Sequence, residues 1–156
     1  MISLWRVYRE IYGTGLDGAG GLLQEGRWHV VGSRVAYFSL SPAMAVLEVL
    51  AHTGLNFPTD LQLAKFTFTA EVSAAPARPE NYCKLPVSPC WERDEKITQS
   101  IGRRWLAAKK SCLLYVPSVL IPEETNIIFN PLHPDGKLLK LETTRLFQLD
   151  QRILSA

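Results

Sequence analysis

Cysteine is scarce in this chain. Its 156 residues hold only three, Cys83, Cys90 and Cys112, an odd number that matches no zinc or redox spacing. The pattern argues against a disulfide scaffold and points to reduced structural thiols in a cytoplasmic protein. No leader sequence is expected either. The chain opens Met1-Ile2-Ser3-Leu4-Trp5-Arg6, with no basic flank running into an apolar core, so no secretory signal is expected. No stretch approaches the roughly 18 uninterrupted apolar residues of a membrane helix, and no membrane association is expected. Charge of one sign is not in excess: 17 Lys and Arg against 15 Asp and Glu leave +2. That balance does not suit a chain that tracks phosphate backbones, so no direct contact with nucleic acid is expected. Repeats and low-complexity tracts are absent as well.

What is present fits one globular domain over residues 1–156. A chain of this length buries roughly two-thirds of its unfolded surface, and 47% hydrophobic with 21% charged residues is an ordinary globular balance. Leu4 to Tyr8 reads as an opening strand. Tyr12 to Gly26, with glycines at 13, 15, 18, 20, 21 and 26, reads as a loop. Arg34 to Phe38 reads as a second strand. Ser41-Pro42 is a helix start, serine capping and proline at the first helical position. The helix is expected from Pro42 to about Thr53, ended by Gly54.

Leu61 to Ala70 alternates as a strand, and Ala74 to Pro89, with four prolines, reads as an irregular crossing. A second helix is expected from Asp94 to Lys109, with Ile97, Ile101, Trp105 and Ala108 as its apolar stripe. Cys112 to Val116, Asn126 to Phe129 and Leu138 to Leu149 read as strands, the last with Leu139, Leu141, Phe147 and Leu149 on one face. The expected class is α+β, a mixed, mainly antiparallel sheet with flanking helices.

Glu48 is the most informative residue. It is the one ionisable group between Pro42 and Ala51. A helix apolar nearly all round is expected to be buried, and a carboxylate there needs a partner or a task. It could cap a backbone amide, pair with an arginine, or do chemistry. Gly26-Arg27-Trp28 closes the glycine-rich loop, where glycine admits close backbone approach and arginine can grip phosphate oxygens. Taken alone, Tyr37 on the second strand reads as a core aromatic with a satisfied hydroxyl, and Ser118 after Pro117 as a turn residue. His133 has no partner at metal spacing.

Together these segments carry a resemblance. Gly26-Arg27-Trp28, Ala36-Tyr37-Phe38-Ser39, Ala43 to Leu50 around Glu48, Pro117-Ser118 and Asn130-Pro131-Leu132-His133-Pro134 stand in the order and approximate spacing of the RES domain. The similarity runs from Leu4 to about Arg152. The arginine, glutamate and serine that name the family match Arg27, Glu48 and Ser118. Trp28-His29 departs from the tryptophan–asparagine that members often carry, so the resemblance gives His29 no role, and Ala74 to Glu92 matches nothing in it.

The resemblance implies an ADP-ribosyltransferase-like fold and a toxin of a bacterial toxin–antitoxin pair. Such a toxin consumes NAD⁺ at the nicotinamide–ribose bond, by hydrolysis or phosphorolysis, or transfers ADP-ribose to a protein. The implied partner is an Xre-like helix-turn-helix antitoxin, and the implied acceptors are water, inorganic phosphate or a target protein. NAD⁺ is then a substrate, with no resident cofactor and no metal. This agrees with Gly13 to Gly21, which does not form Gly-x-Gly-x-x-Gly between strand and helix. By this reading Glu48 stabilises the oxocarbenium-like ribose, Arg27 holds the pyrophosphate, Tyr37 packs on nicotinamide or ribose, and Ser118 positions one of them. Arg6 adds a second phosphate contact, and Asn130 is a further candidate substrate contact. Two rivals are a ribonuclease using His52, His133 and the basic run Arg103 to Lys110, and a binding module in which Glu48 and Arg27 form a structural ion pair.

Overall fold

Ser41 shows how locally the architecture is written. Its backbone is extended and its hydroxyl accepts from the Met44 amide at 3.1 Å, while Pro42 begins the helix and Gly54, at φ 56°, ends it. The computed structural model describes residues 1–54, 56–68 and 94–154. The expected crossing from Ala74 to Pro89, with Cys83 and Cys90, lies outside the described residues. Strands are β1 (Ser3–Arg9), β2 (Ala36–Ser39), β3 (Leu61–Phe68), β4 (Leu113–Pro117), β5 (Thr125–Phe129) and β6 (Leu139–Leu146). Helices are α1 (Gly20–Leu23), α2 (Pro42–Thr53), α3 (Glu95–Ala108) and α4 (Gln151–Leu154). No helix among the described residues is long and apolar enough to cross a membrane.

The six strands form one sheet in the order β4-β5-β2-β1-β3-β6. Every pairing among the described residues is antiparallel, in line with the expected mainly antiparallel sheet. The class is α+β. The central seam is weak: β1 meets β2 only at Trp5↔Ser39, whereas β1 pairs with β3 along its whole length. The sheet therefore divides into β4-β5-β2 and β1-β3-β6, which part beyond that one pair. The split between these halves is what makes room for the cavity described below.

One sheet face carries a core that includes Leu4, Phe38, Phe66, Phe68 and Phe129, with Phe38 meeting Phe66 edge-on at 5.3 Å between ring centroids. On the other face α3 covers the first half, over Leu114, Val116 and Ile128, and α2 covers the second, over Val7, Leu61 and Leu63.

Three expectations change. α2 buries only Met44 and Ala45; it lies on a sheet at one side and is open at the other, so Glu48 is half-buried rather than sealed in apolar surroundings. α3 buries Trp105 of the expected stripe and packs Ile101 partly buried beside it, but Ala108 is exposed and Thr98 and Gly102 are buried as well, because the helix packs against main chain and needs small residues there. β6 is an edge strand whose register shifts opposite Lys65/Phe66, and it ends at Leu146. Leu139 is buried, but Leu141 is 44% and Leu146 51% exposed. Phe147 then packs edge-on against Phe57.

Candidate functional site

Where the sheet halves part there is a cavity of about 780 Å³, lined by Arg6 from β1, Tyr37 from β2, Glu48 and His52 from α2, the loop Gly26-Arg27-Trp28-His29, and Asn126 from β5. Its size lies within the roughly 300–1,000 Å³ of small-molecule sites.

Glu48 is anchored by one oxygen. Its Oε1 accepts from the Ser118 hydroxyl at 2.9 Å and from the Asn126 side-chain amide. The Asn126 carbonyl in turn accepts from the Ser39 hydroxyl at 2.8 Å, which fixes the NH₂ toward the carboxylate. Ser118 is 1% exposed and its oxygen also accepts from the Leu120 and Ile121 amides, so it is both the turn residue and the carboxylate's partner. Oε2 has no hydrogen bond among the described residues. Every buried side-chain nitrogen and oxygen there has a partner, so Oε2 faces the open cavity.

The Arg27 loop is held from behind by α3. Thr98 donates to the Arg27 carbonyl, Gln99 donates to the Gly26 carbonyl at 3.1 Å, and Gly102 packs directly on the Trp28 carbonyl. The Arg27 guanidinium meets Glu95 at 3.3 Å, with their side chains 24% and 51% exposed. An exposed pair of this kind contributes at most about 1 kcal/mol, so an anionic ligand can displace Glu95.

Arg6 is the opposite case. Strand alternation sets it with Leu4 and Tyr8 on the far sheet face, where it lies 5.7 Å over the Phe38 ring and donates to the Gly15 carbonyl at 3.3 Å. It is also among the residues that line the cavity. No carboxylate among the described residues pairs with it within ion-pair distance. Burial lowers its pKa to about 10, with Asp17 opposing, so it remains cationic at neutral pH.

Burial likewise pushes the Tyr37 phenol well above its usual range and leaves it neutral. His29 is held below the usual histidine range, chiefly by burial, against the raising effects of the Gln24 carbonyl and Glu25. Neutral His29 therefore contributes stability that is present above the ordinary histidine pKa and is lost as the pH falls through the lowered value.

The comparisons with known proteins agree with this geometry. The RES domain model matches residues 3–150. The chain belongs to the RES-domain family. A RES relative, the "Prs ADP-ribosylating toxin" of Sphingobium sp. (strain YBL2), is 36% identical over 97% of this chain and 96% of its own. "Toxin Res" of Pseudomonas putida is 37% identical over 89% of this chain and 91% of its own. Among solved structures, the M. tuberculosis MbcT–MbcA toxin–antitoxin complex contains a chain with the same fold, at a TM-score of 0.71 and 14% identity over 98% of this chain and 86% of that one.

Of the three residues expected to match those that name the family, Glu48 and Arg27 line the cavity, and Ser118 lies behind it, hydrogen-bonded to Glu48. No ion pair joins Glu48 to Arg27 in this RES domain, so the structural-pair alternative is not what the fold builds. Tyr37 and Arg6 also line the cavity. Asn130 does not: it is 3% exposed, and its side chain accepts from the Leu132 amide within the turn. His133 accepts from the Asp135 amide at 3.1 Å, capping the 3-10 turn Pro134–Leu138, and lies apart from cavity-lining His52. Asn126 and His29 escaped the sequence reading. The one signal for Asn126 was a polar amide in an otherwise apolar strand.

Proposed function

We propose that this chain is a toxin of a toxin–antitoxin pair that consumes NAD⁺ by cleaving the nicotinamide–ribose bond, with no resident cofactor. The observation that carries the reading is Glu48, which has one oxygen fixed by two donors and the other turned into a cavity that also holds Arg27, Tyr37 and Arg6. Losing nicotinamide from its ribose builds positive charge on the sugar. A carboxylate oxygen already oriented toward the sugar stabilises that charge without reorganising. Nicotinamide leaves an already cationic ring, so no strong general acid is needed.

In this reading Arg27 exchanges Glu95 for the pyrophosphate, Arg6 meets the same anion, and the Tyr37 ring packs on nicotinamide or ribose. Ser118 acts through Glu48, by holding Oε1, and is a positioning residue. Asn130 supports the turn beyond β5. An Xre-like antitoxin that covers the cavity is the partner, in the cytoplasm, and water or inorganic phosphate is the ADP-ribose acceptor.

A protein acceptor is the second reading, favoured by the similarity to a relative named as an ADP-ribosylating toxin. Expression without a partner is expected to arrest growth with a fall in cellular NAD⁺. Purified protein is expected to release nicotinamide. Mass spectrometry of the products, with and without phosphate, separates ADP-ribose, ADP-ribose-1″-phosphate and a modified protein. Arrested cells with unchanged NAD⁺ overturn the reading.

Arg27→Ala is expected to raise the KM for NAD⁺ more than Arg27→Lys does, because a planar fork grips a pyrophosphate in a way a point charge does not. Equal KM values for the two variants, measured by nicotinamide release, argue against a bidentate grip.

A further inference from the structure

His29 is 5% exposed, and two glycines leave room for its ring. A Cβ at Gly26 would stand 2.7 Å from the imidazole and 3.0 Å from the Tyr37 hydroxyl oxygen, and one at Gly21 would stand 3.1 Å from His29 Nε2. The imidazole is thus seated in a slot rather than trapped by accident, and both of its nitrogens are used. Nε2 lies 2.9 Å from the Gln24 carbonyl oxygen and Nδ1 lies 2.8 Å from the Tyr37 hydroxyl oxygen.

The chemistry of the partners decides where the protons are. A carbonyl only accepts, so Nε2 carries the proton. A neutral imidazole then has its lone pair on Nδ1, and the Tyr37 hydroxyl must donate to it. The Tyr37 oxygen also accepts from the Trp28 amide at 3.3 Å. Its proton is committed away from the substrate and one lone pair remains.

We propose that neutral His29 is a positioning residue of the cavity: by accepting the Tyr37 proton it fixes the phenol's direction, so that Tyr37 meets the substrate as an aromatic face and not as a hydrogen-bond donor. The inference rests on the reading of the cavity as the NAD⁺ site. Protonating His29 reverses the bond. Nδ1–H then donates to the phenol oxygen, and the phenol proton must turn elsewhere. The charged and titratable groups around the pair are Glu25 on the same loop, Tyr37 itself on β2, and Arg27 and Glu95, which act on Tyr37 from the loop and from α3. No carboxylate forms an ion pair with His29 among the described residues; burial outweighs the help that the Gln24 carbonyl and Glu25 give the cation, and the reversal belongs to acid pH.

The first test needs no substrate. Long-range ¹H–¹⁵N correlation of the histidine side chains is expected to show His29 as the Nε2–H tautomer, with the Nδ1 resonance shifted by Tyr37→Phe. An Nδ1–H tautomer at neutral pH overturns the proposal. The second test is NAD⁺ consumption across about pH 5 to 8, the range in which histidine titrates. His29→Leu removes the acceptor and is expected to raise KM roughly tenfold, the equivalent of one hydrogen bond, with a smaller change in kcat. His29→Asn places an amide oxygen where Nδ1 stands and cannot titrate. It is expected to recover most of that loss and to abolish the acid limb of the kcat/KM profile.

An acid limb kept unchanged in His29→Asn, or wild-type KM in His29→Leu, overturns the assignment. If the wild-type protein leaves NAD⁺ intact, the functional reading has failed, and the tautomer measurement still decides the His29–Tyr37 arrangement on its own.

Discussion

Glu48→Gln is expected to fold as the wild type does, bind NAD⁺ with similar affinity, and turn it over about 10²–10³-fold more slowly, the usual loss of roughly 3–4 kcal/mol for one well-placed electrostatic group. The geometry explains why the two effects separate. Ser118 and Asn126 both donate to Oε1, and a glutamine carbonyl in that place accepts both bonds. The new NH₂ stands where Oε2 faced the cavity and carries no negative charge for the developing cation. The change in unfolding free energy is expected to stay within about 1 kcal/mol. Thermal unfolding and single-turnover rate measured on the same variant decide it. A less stable but fully active protein ends the case for Glu48.

Gly102→Ala is expected to destabilise the domain by roughly 3 kcal/mol or more and to raise the KM for NAD⁺ together. A Cβ at position 102 would lie 1.7 Å from the Trp28 carbonyl oxygen and 2.9 Å from its carbon. Neither atom can rotate away, so α3 and the loop must separate. Overpacking alone costs ~1–3 kcal/mol. Separation also weakens the Thr98 and Gln99 bonds to the loop carbonyls, each contributing about 1 kcal/mol. Arg27 rides on that loop, and a misplacement of about 1 Å can cost two orders of magnitude in rate. Urea denaturation and nicotinamide release check the two halves. Wild-type stability in Gly102→Ala means α3 does not bear on the loop as closely as described.

The helix bounds of α2 were legible because Ser41, Pro42 and Gly54 act within a few residues of themselves. β1 and β3 were legible for a similar reason, since strand alternation is a local pattern. What failed was any judgement that depends on a distant partner. The apolar composition of α2 did not reveal that one side of it stays open, because Ala43 and Ala51 expose little surface whatever they face. The buried face of α3 was read only in part, through Ile101 and Trp105, because Gly102 and Thr98 are weak hydrophobic signals, and only the main chain of Trp28 makes their small size necessary. Asn130 was preferred to Asn126 because its segment carried the family pattern. Register across β2 and β5, which sets Ser39 against Asn126, is a tertiary fact. Glu48 stood out by its chemical type in an apolar helix, Arg27, Tyr37 and Arg6 were reached through the resemblance to the family, and the structure gathers all four around one cavity.

The attachment of the Arg27 loop to α3 has a consequence for change over time. Thr98 and Gln99 bind carbonyl groups, which every residue supplies, and Gly102 meets another. None of these contacts reads the side chain at position 27, whereas the Trp28 ring is itself part of the seat, buried in one cluster with Trp105 and Ile128. Mutation can therefore exchange what the loop presents to a ligand while its seat stays intact, which separates inheritance of the scaffold from drift in what it recognises. Laboratory libraries confined to position 27 should for the same reason yield mostly folded proteins, whereas replacing the buried Trp28 should cost roughly 3–5 kcal/mol.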